Sequence, residues 1–311
     1  MKAVRLYTYG PSNLFILEDV PQPEPGEGEV LVRNYATTVN PFDCAVRAGY
    51  LTGYYHYEFP LVLGLDVSGV VEAIGPGVQK FAPGDEVWAR ADPARNGAYA
   101  EFVVVPVTEV AAKPKSLDFV QAAALPHVGL TAWRALIDAA NLSAGQTVLI
   151  HAAAGGVGSF AVQLAKTRDA GVIGTASTQN QAFLKELGVD QAIDYTTTQF
   201  EDIVHDVDVV LDCVGGDTLE RSWGVLKPGG ILLSVVQPPS PDTAATYGVR
   251  QQFVGVFPPA GPVLEQIAAL VDSGQIKPII AAVHPLHDTA NAHNLVEERH
   301  TRGKHVLQVV S

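Results

Sequence analysis

Cysteine is scarce in this sequence, since only Cys44 and Cys213 occur among 311 residues. Two cysteines exclude a disulfide framework and a structural metal lobe built from four cysteine ligands. Positive charge is also in short supply, and the formal net charge is −13 at pH 7. Such a charge opposes binding to nucleic-acid phosphates and to anionic membranes, so neither kind of partner is expected.

Long apolar runs are missing too. No stretch reaches the roughly 18 unbroken apolar residues of a membrane span. The first residues, MKAVRLYTYG, contain no apolar stretch followed by a small-residue cleavage site, and we therefore expect a cytoplasmic protein. The hydrophobic fraction of 47% is nevertheless sufficient for two packed domains.

The pattern of apolar residues changes along the chain. Residues 1–118 contain short apolar runs between Pro and Gly, such as EVLVRNYA and AEFVVV, which predict a β-rich domain. In residues 119–260, strands and helices alternate, which predicts a doubly wound parallel sheet. Its predicted strands cover 147–151, 171–177, 191–194, 208–214, 230–236 and 252–257. Residues 261–311 are expected to complete the side of the molecule that contains the doubly wound sheet. They are then expected to return to the first domain through a strand at KHVLQVV.

The strongest chemical signal is VLIHAAAGGVGSFAVQLAK, where a predicted strand runs into a glycine turn and then a helix. In a G-x-G-x-x-G motif, Ala153 takes the first position, and Gly155 and Gly158 take the others. Gly155 lets the backbone approach a pyrophosphate, Gly158 allows close helix packing, and the helix start presents N–H groups to the anion. A glycine turn that binds nothing is the alternative. The residues predicted to bind a dinucleotide here are Ala154, Gly155, Gly156, Val157 and Gly158.

The end of the next strand determines which dinucleotide is expected. Sites for NAD place an Asp or Glu about 20 residues after the glycines, but this sequence has GTASTQNQ there. Ser177 and Thr178 can instead donate hydrogen bonds to a 2′-phosphate, which favours NADPH, although the nearest basic candidate is Lys185 on the next helix. Alternatively, Ser177 and Thr178 cap that helix.

Several ordered segments resemble the medium-chain dehydrogenase/reductase superfamily, and within it the zinc-independent, quinone oxidoreductase-like branch. They are VNPFDCAVRAGY, FPLVLGLDVSGVVEAIGPGVQKFAPGDEV, GAYAEFVVVP, AAALPHVGLTAW, HAAAGGVGSFAVQLAK, DVVLDCVGG, LKPGG and RGKHVLQVV. The resemblance covers the whole chain. It implies a GroES-like β-barrel catalytic domain plus a doubly wound Rossmann domain, with the nicotinamide in a cleft between them. It also implies a homodimer formed through the edge of the Rossmann sheet.

Zinc alcohol dehydrogenases of this superfamily carry a Cys, a His–Glu pair and a second Cys as catalytic ligands. Here Asn40 stands at the first position, and Leu65 and Asp66 stand at the pair; a leucine cannot bind zinc. His284 and His287 have a suggestive spacing but lack supporting ligands, so no metal is expected. Zinc supplies several kcal/mol at a developing alkoxide, whereas one hydrogen-bond donor supplies about 3 kcal/mol. A metal-free site therefore favours small, already electrophilic acceptors, namely quinones and α,β-unsaturated carbonyls (enones).

The resemblance also implies which residues surround the hydride, whose transfer needs the nicotinamide C4 about 3 to 3.5 Å from the acceptor carbon. Asn40 and Asp43 are expected to line the cleft, and Thr131 is expected beside the nicotinamide ribose. The Asn40 amide can donate a hydrogen bond to the substrate oxygen.

Tyr50 and His127 are candidate donors with open alternatives. Tyr50 is expected to reach the substrate pocket, or else to be buried against Tyr54 and Tyr55. His127 is a candidate proton donor at neutral pH, or else a helix-entry histidine with one backbone hydrogen bond.

Further cofactor contacts follow from the resemblance. Tyr195 matches a family tyrosine near the adenosine phosphate, and Gly174 opens the same pocket. Val214 and Val235 are expected to approach the cofactor through their backbones. Lys304 is expected near the cofactor phosphates, or else as a surface charge. The leading hypothesis is an NADPH-dependent quinone or enone reductase; the alternatives are a 2-enoyl thioester reductase and an NADPH-binding protein with little turnover.

Overall fold

The structure is a computed structural model that describes residues 1–255 and 259–310. Contacts divide it into two units, of which the first contains residues 1–127, 259–274 and 278–310, and the second contains 128–255 and 275–277. The sequence placed the change of unit at residue 119, whereas contacts place it after residue 127. The reason is that the intervening helix Phe119–Ala123 packs on strands of the first unit.

The strands are numbered in chain order: β1 (Lys2–Leu6), β2 (Ile16–Asp19), β3 (Glu29–Val39), β4 (Leu61–Val62), β5 (Asp66–Ile74), β6 (Glu86–Arg90), β7 (Phe102–Pro106), β8 (Val110–Ala112), β9 (Thr147–Ile150), β10 (Gly171–Ala176), β11 (Gln191–Asp194), β12 (Val207–Asp212), β13 (Leu226–Ser234), β14 (Arg250–Phe253), β15 (Ile280–Pro285) and β16 (Lys304–Gln308). The helices are α1 (Pro41–Arg47), α2 (Phe119–Ala123), α3 (Pro126–Trp133), α4 (Gly156–Lys166), α5 (Gln181–Leu187), α6 (Asp217–Ser222), α7 (Pro241–Tyr247), α8 (Gly261–Asp272) and α9 (Thr289–Glu297). The strand predicted at 252–257 is found at Arg250–Phe253, and residues 256 and 257 lie outside the described residues. Within the described ranges, no helix combines the length and apolar character that crossing a membrane requires.

The first unit is built mainly from antiparallel strands. Its larger sheet has the order β15-β16-β3-β5-β6-β8, with β7 also paired to β3, and β2-β1-β4 form a smaller sheet. The close approach of β3 and β5 requires glycine at position 69, because a Cβ there would lie 2.0 Å from the Arg33 carbonyl oxygen. The last strand, β16, pairs with β3 so that His305 lies opposite Val39. This pairing brings the end of the chain to the residues around Asn40.

The second unit contains a parallel sheet of order β11-β10-β9-β12-β13-β14. Numbered from β9, this is the order 3-2-1-4-5-6 of doubly wound dinucleotide-binding folds. Continuous apolar strands such as TVLI, buried at Val148, Leu149 and Ile150, explain why the sheet lies inside the unit. The strand order reverses between β9 and β12, and ligands of such sheets bind at the carboxyl ends of the strands at this reversal.

Candidate active site

The glycine turn lies at the carboxyl end of β9. Gly155 N–H donates to the Ala152 carbonyl at 2.9 Å, and α4 begins at Gly156. A Cβ at position 158 would lie 2.3 Å from the Ala152 oxygen and 2.8 Å from the Ala153 Cα. Both contacts are with backbone atoms, so glycine is needed at 158 for the helix to start this close to the turn.

The start of α4 offers hydrogen-bond donors to an anion. No side chain caps this helix, which is eleven residues long and has Gly155 at its N-cap. The first-turn N–H groups of a helix have no intrahelical acceptor, and the helix dipole favours negative charge at this end. The backbone of Gly156, Val157 and Gly158 therefore fits a pyrophosphate, and the buried Ala153 and Ala154 leave no bulky side chain in the turn.

Ser177 and Thr178 follow β10, which ends at Ala176, one residue before the predicted end of this strand. The alternative that they cap the next helix is wrong, because neither Ser177 nor Asn180 makes a side-chain cap hydrogen bond. The Ser177 hydroxyl accepts from Asn180 Nδ2 at 3.1 Å, and the Thr178 and Thr196 hydroxyls lie 3.0 Å apart. Gly174 is buried in β10, where a Cβ would meet the Ala153 Cβ at 3.0 Å. Its absent side chain allows β10 to lie against the glycine turn.

Asp194 and Tyr195 lie at the end of β11, the strand that pairs with β10. Tyr195 is 54% exposed, which leaves its ring accessible to a ligand. Asp194, which the sequence reasoning did not consider, pairs in register with Ala176 at the carboxyl end of β10. Hydrogen bonds from Thr178 and Thr196 lower its pKa. This carboxylate is thus ionised and engaged by threonine side chains.

The loops after β12 and β13 are held by Asp212, a second residue that the sequence reasoning missed. Its Oδ1 accepts the N–H groups of Val214 at 3.0 Å and Gly215 at 2.9 Å, and its Oδ2 accepts the Ser234 hydroxyl at 2.7 Å. The Val235 N–H donates to the Asp212 carbonyl at 3.1 Å. Asp212 therefore fixes the backbone at both predicted cofactor contacts, at Val214 through its carboxylate and at Val235 through its backbone carbonyl. Thr131 is buried in α3.

In the first unit, Asn40, Asp66 and Lys304 form a buried network. The Asn40 amide nitrogen donates to Asp66 Oδ2 at 2.9 Å, and the Lys304 ammonium donates to the Asn40 amide oxygen. The same ammonium donates to the Val39 carbonyl at 3.2 Å and lies 3.8 Å from Asp66 Oδ2. The Asn40 amide is thus engaged at both ends, and its other N–H has only a 3.5 Å contact with the Thr38 hydroxyl. A substrate oxygen would have to compete for this last N–H.

Lys304 is 5% exposed, so the alternative that it is a surface charge is wrong. Burial lowers its pKa, while the negative charges of Asp66 and Asp43 oppose that effect. The predicted approach to cofactor phosphates stays a prediction, and its ammonium already has two oxygen acceptors in the network. Its pairing with Asn40 arises from the β16–β3 register.

Asp43 has a structural contact at each carboxylate oxygen. Oδ2 accepts the Asn40 N–H at 2.8 Å as part of the capping box that begins α1, and Oδ1 accepts the Gly64 N–H at 3.3 Å. Burial raises the pKa of Asp43 to about 6, although the hydrogen bond from the Asn40 backbone opposes this. The geometry is that of a carboxyl group that fixes the VNPFD turn.

His127 is the second residue of α3 and lies beside the network, where its backbone N–H donates to Asp66 Oδ1 at 2.7 Å. Burial, together with the positive charge of Arg90, lowers the pKa of His127 to about 3. The ring is therefore neutral at pH 7. It can donate a hydrogen bond, but no imidazolium is present to supply a proton.

Tyr50 is 80% exposed, so the alternative of burial against Tyr54 and Tyr55 is wrong. Tyr54 is itself 82% exposed, and Tyr55 packs instead against Phe42, with ring centroids 5.6 Å apart. The hydroxyl of Tyr50 is consequently accessible to a ligand.

The metal-ligand positions of the zinc enzymes do not fit zinc in this chain. A tetrahedral zinc ligand set is not supplied by these positions. Asn40 offers an amide and Leu65 an aliphatic side chain, and the Asp66 carboxylate is already bonded to Asn40 and Thr38. The described residues contain no group of three or more His, Cys, Asp or Glu side chains placed to hold a metal ion. His284 bonds instead to His305, with nitrogen atoms 3.0 Å apart.

Comparison with known proteins agrees with this organisation. The description "Alcohol dehydrogenase GroES-like domain" matches residues 26–115, and "Zinc-binding dehydrogenase" matches residues 187–307. The mitochondrial NAD(P)H oxidoreductase RTN4IP1 of Mus musculus is 38% identical, over 91% of this chain and 82% of that protein. The chloroplastic NADPH-dependent alkenal/one oxidoreductase of Arabidopsis thaliana is 35% identical, over 99% of this chain and 79% of that protein. The solved quinone oxidoreductase from Coxiella burnetii is 35% identical with a TM-score of 0.91, covering 100% of this chain and 99% of that one.

A Rossmann unit joined in sequence to a GroES-like unit defines a class of oxidoreductases. This chain belongs to the medium-chain dehydrogenase/reductase superfamily, as the similarity to these relatives over nearly its whole length shows. The predicted superfamily and the predicted fold class are thereby confirmed. The chain is an oxidoreductase, and these relatives are named for nicotinamide cofactors and for quinone or alkenal/one acceptors.

The expectation of a cytoplasmic location is wrong. Two similar proteins from animals and plants are named as mitochondrial and chloroplastic. The expectation rested on a missing signal at the start of the sequence, and a missing signal is not a positive feature that places a protein in any compartment.

Proposed function

We propose that this protein is a zinc-independent reductase that transfers a hydride from NADPH to a quinone or an α,β-unsaturated carbonyl. The network of Asn40, Asp66 and Lys304 is the observation that carries the proposal. At the positions where the zinc enzymes hold their metal, an ammonium group contacts an amide and lies close to a carboxylate. Hydrogen-bond donors stabilise less developing charge than a metal does, so the acceptor must already be electrophilic.

The cofactor, when bound, supplies the hydride, and the second unit supplies its binding groups. We assign the pyrophosphate to the N–H groups at the start of α4, beside Ala154 and Gly155. The hydroxyls of Ser177 and Thr178 and the exposed ring of Tyr195 are suited to the 2′-phosphate side, which supports NADPH. Asp212 holds the backbone at Val214 and Val235 in place for the rest of the dinucleotide.

The first unit supplies the groups for the acceptor. Tyr50 is the exposed hydroxyl among the predicted donors, and we assign it a hydrogen bond to the acceptor oxygen. We assign Asn40, Asp43 and His127 a positioning role, because their contacts fix the VNPFD turn and the start of α3.

A homodimer through β14 is part of the proposal. This strand ends the order of the parallel sheet in the described residues, and Phe253 on it is 46% exposed. An edge strand offers unpaired backbone groups to a second copy. Sedimentation velocity of the wild type and of Phe253→Lys tests this, and a wild-type monomer would contradict it.

Loss of NADPH absorbance with a panel of quinones, enones and enoyl thioesters tests the reaction. We expect turnover with quinones or enones. If NADPH is not oxidised with any of these compounds, the proposed enzymatic activity is refuted. Dissociation constants for NADPH and NADH test the cofactor, since NADH binding of equal or greater strength would contradict the 2′-phosphate assignment. Stoichiometric zinc in protein purified without added metal would contradict the zinc-independent site.

A further inference from the structure

Arg90 is a buried arginine whose side chain has no acceptor in the part of the chain that the structure describes. It is the last residue of β6 and only 6% exposed. Its Nε is buried without a hydrogen-bond partner, and in residues 1–255 and 259–310 its guanidinium makes neither a hydrogen bond nor an ion pair. Of the five N–H donors of the guanidinium, the one on Nε is therefore buried without an acceptor, which is costly.

The closest carboxylate in the sheet register is occupied by other donors. Asp66 lies directly opposite Arg90 in the β5–β6 pair. However, Asp66 Oδ1 accepts the His127 N–H, and Oδ2 accepts the Thr38 hydroxyl and the Asn40 amide. Asp66 therefore lowers the electrostatic cost of Arg90 without bonding to it.

The other negative groups that act on Arg90 are bonded elsewhere in the same way. Glu109 Oε2 accepts the Ala260 N–H at 3.1 Å, and Asp92 Oδ1 accepts the Ala94 N–H at 2.9 Å. Burial lowers the pKa of Arg90, while the charges of Glu109 and Asp66 oppose this effect. The guanidinium thus remains charged with unmet donors, in a region that also holds the Lys304 ammonium.

We propose that Arg90 binds an oxygen anion of the substrate, which is either a carboxylate on the acceptor or the enolate or quinol oxygen formed during reduction. This inference rests on the proposed function. NADPH, when bound, would supply the hydride and be oxidised to NADP⁺ as its C4–H bond breaks. The hydride would add with its electron pair to the β-carbon of an enone, the double bonds would shift, and the carbonyl oxygen would carry the negative charge until a proton from water adds to the α-carbon. A planar guanidinium can hold either kind of oxygen anion with two parallel hydrogen bonds.

The test compares Arg90→Gln and Arg90→Lys with the wild type on phenyl vinyl ketone and on its 4-carboxylate. Arg95→Gln is the matched control, because Arg95 is a half-exposed arginine of the same unit that pairs with Glu29. Steady-state kcat and KM are measured with NADPH, and thermal unfolding of each variant is followed alongside.

If the anion is a carboxylate of the acceptor, Arg90→Gln raises KM for the carboxylated ketone at least about tenfold and leaves the neutral ketone unchanged. If it is the oxygen that becomes charged, kcat falls at least about tenfold on both ketones with little change in KM. Arg90→Lys retains part of the effect in either case, and Arg95→Gln behaves as wild type. Kinetics within twofold of wild type in folded Arg90→Gln would overturn the proposal, and so would failure of both Arg90 variants to fold.

A binding measurement separates this inference from the proposed function. Benzoate is expected to raise the melting temperature of the wild type, benzamide is not, and Arg90→Gln should lose the benzoate effect. If the wild type oxidises NADPH with neither ketone, the proposed reaction fails, and benzoate binding that depends on Arg90 still supports the anion site. Absence of that dependence in such a protein would refute the anion site as well.

Discussion

Replacing Gly158 by alanine tests the link between the glycine turn and the cofactor. The added Cβ would lie 2.3 Å from the Ala152 oxygen, 2.8 Å from the Ala153 Cα and 2.9 Å from the Ala152 carbonyl carbon. Non-bonded carbon atoms do not approach so closely, and the obstacles are backbone atoms of the turn. The start of α4 must therefore move by roughly 1 Å, and such overpacking typically costs about 1–3 kcal/mol. The better helix propensity of alanine offsets up to about 1 kcal/mol of this.

The same displacement moves the N–H groups assigned to the pyrophosphate. Moving the groups that position a ligand by about 1 Å can reduce the rate of the reaction they support by up to about a hundredfold. We expect an effect of similar size on binding, so that the dissociation constant for NADPH rises roughly 10- to 100-fold. Isothermal titration calorimetry measures the dissociation constant, and urea unfolding measures the stability.

Gly155→Ala is the matched control. Its Cβ would meet only the Ala152 oxygen, at 3.3 Å, and its backbone angles of φ −74° and ψ 179° suit alanine. Stability should change by less than about 1 kcal/mol, while the methyl group at the turn should still weaken NADPH binding. A Gly158→Ala protein with wild-type stability and a dissociation constant within twofold of wild type would refute the role of the turn.

Three further predictions concern single side chains. Burial lowers the pKa of His293 to about 3, so the unfolded state binds a proton first as pH falls below the usual value of 6.5. The unfolding free energy therefore falls on acidification, by about 2 kcal/mol from this residue at pH 5. In urea unfolding, the unfolding free energy of His293→Gln should fall by about 2 kcal/mol less than that of the wild type between pH 7 and pH 5. An equal dependence on pH in the two proteins would contradict this. Lys304→Met leaves Asp66 without its nearest cation and should lower the unfolding free energy by about 3–5 kcal/mol. Adding Asp66→Asn to this variant should recover part of the lost unfolding free energy. A double variant no more stable than Lys304→Met would argue against the network. Tyr50→Phe removes an exposed hydroxyl and should reduce kcat on enones with a stability change within about 0.5 kcal/mol, and unchanged kcat would remove Tyr50 from the site.

Local patterns in the sequence predicted the second unit well. Continuous apolar runs between turn residues are typical of parallel strands, and the glycine turn requires only residues that follow one another in the chain. The end of β10 was predicted to within one residue for the same reason. The contact-based boundary differs from the predicted one at residues 119–127 because a helical pattern gives the type of an element, whereas the unit it joins depends on packing, here of α2 on β3 and β5.

The first unit was less predictable because its polar contacts join distant parts of the chain. Lys304 and Asn40 are 264 positions apart, and only the β16–β3 register brings them together. Arg90 ends an ordinary strand motif, and nothing in that motif indicates that its guanidinium is buried. The low pKa of His127 also depends on burial, which a sequence pattern around one histidine does not reveal.

The charges around Asp66 connect the loss of metal ligands to the proposed chemistry. Asp66 stands where the zinc enzymes carry a ligand, and here it lies 3.8 Å from the Lys304 ammonium and opposite Arg90 in the sheet. Asp66 and Glu109 offset part of the positive charge of Lys304 and Arg90, and Asp43, which is bonded to the backbone, is largely protonated below its pKa of about 6. Above that pH, ionised Asp43 adds negative charge near Lys304 and Asp66, so an anion that binds through Arg90 should bind more tightly below pH 6 than above it. A benzoate affinity that rises with pH across this range would show that the positive charge lies elsewhere.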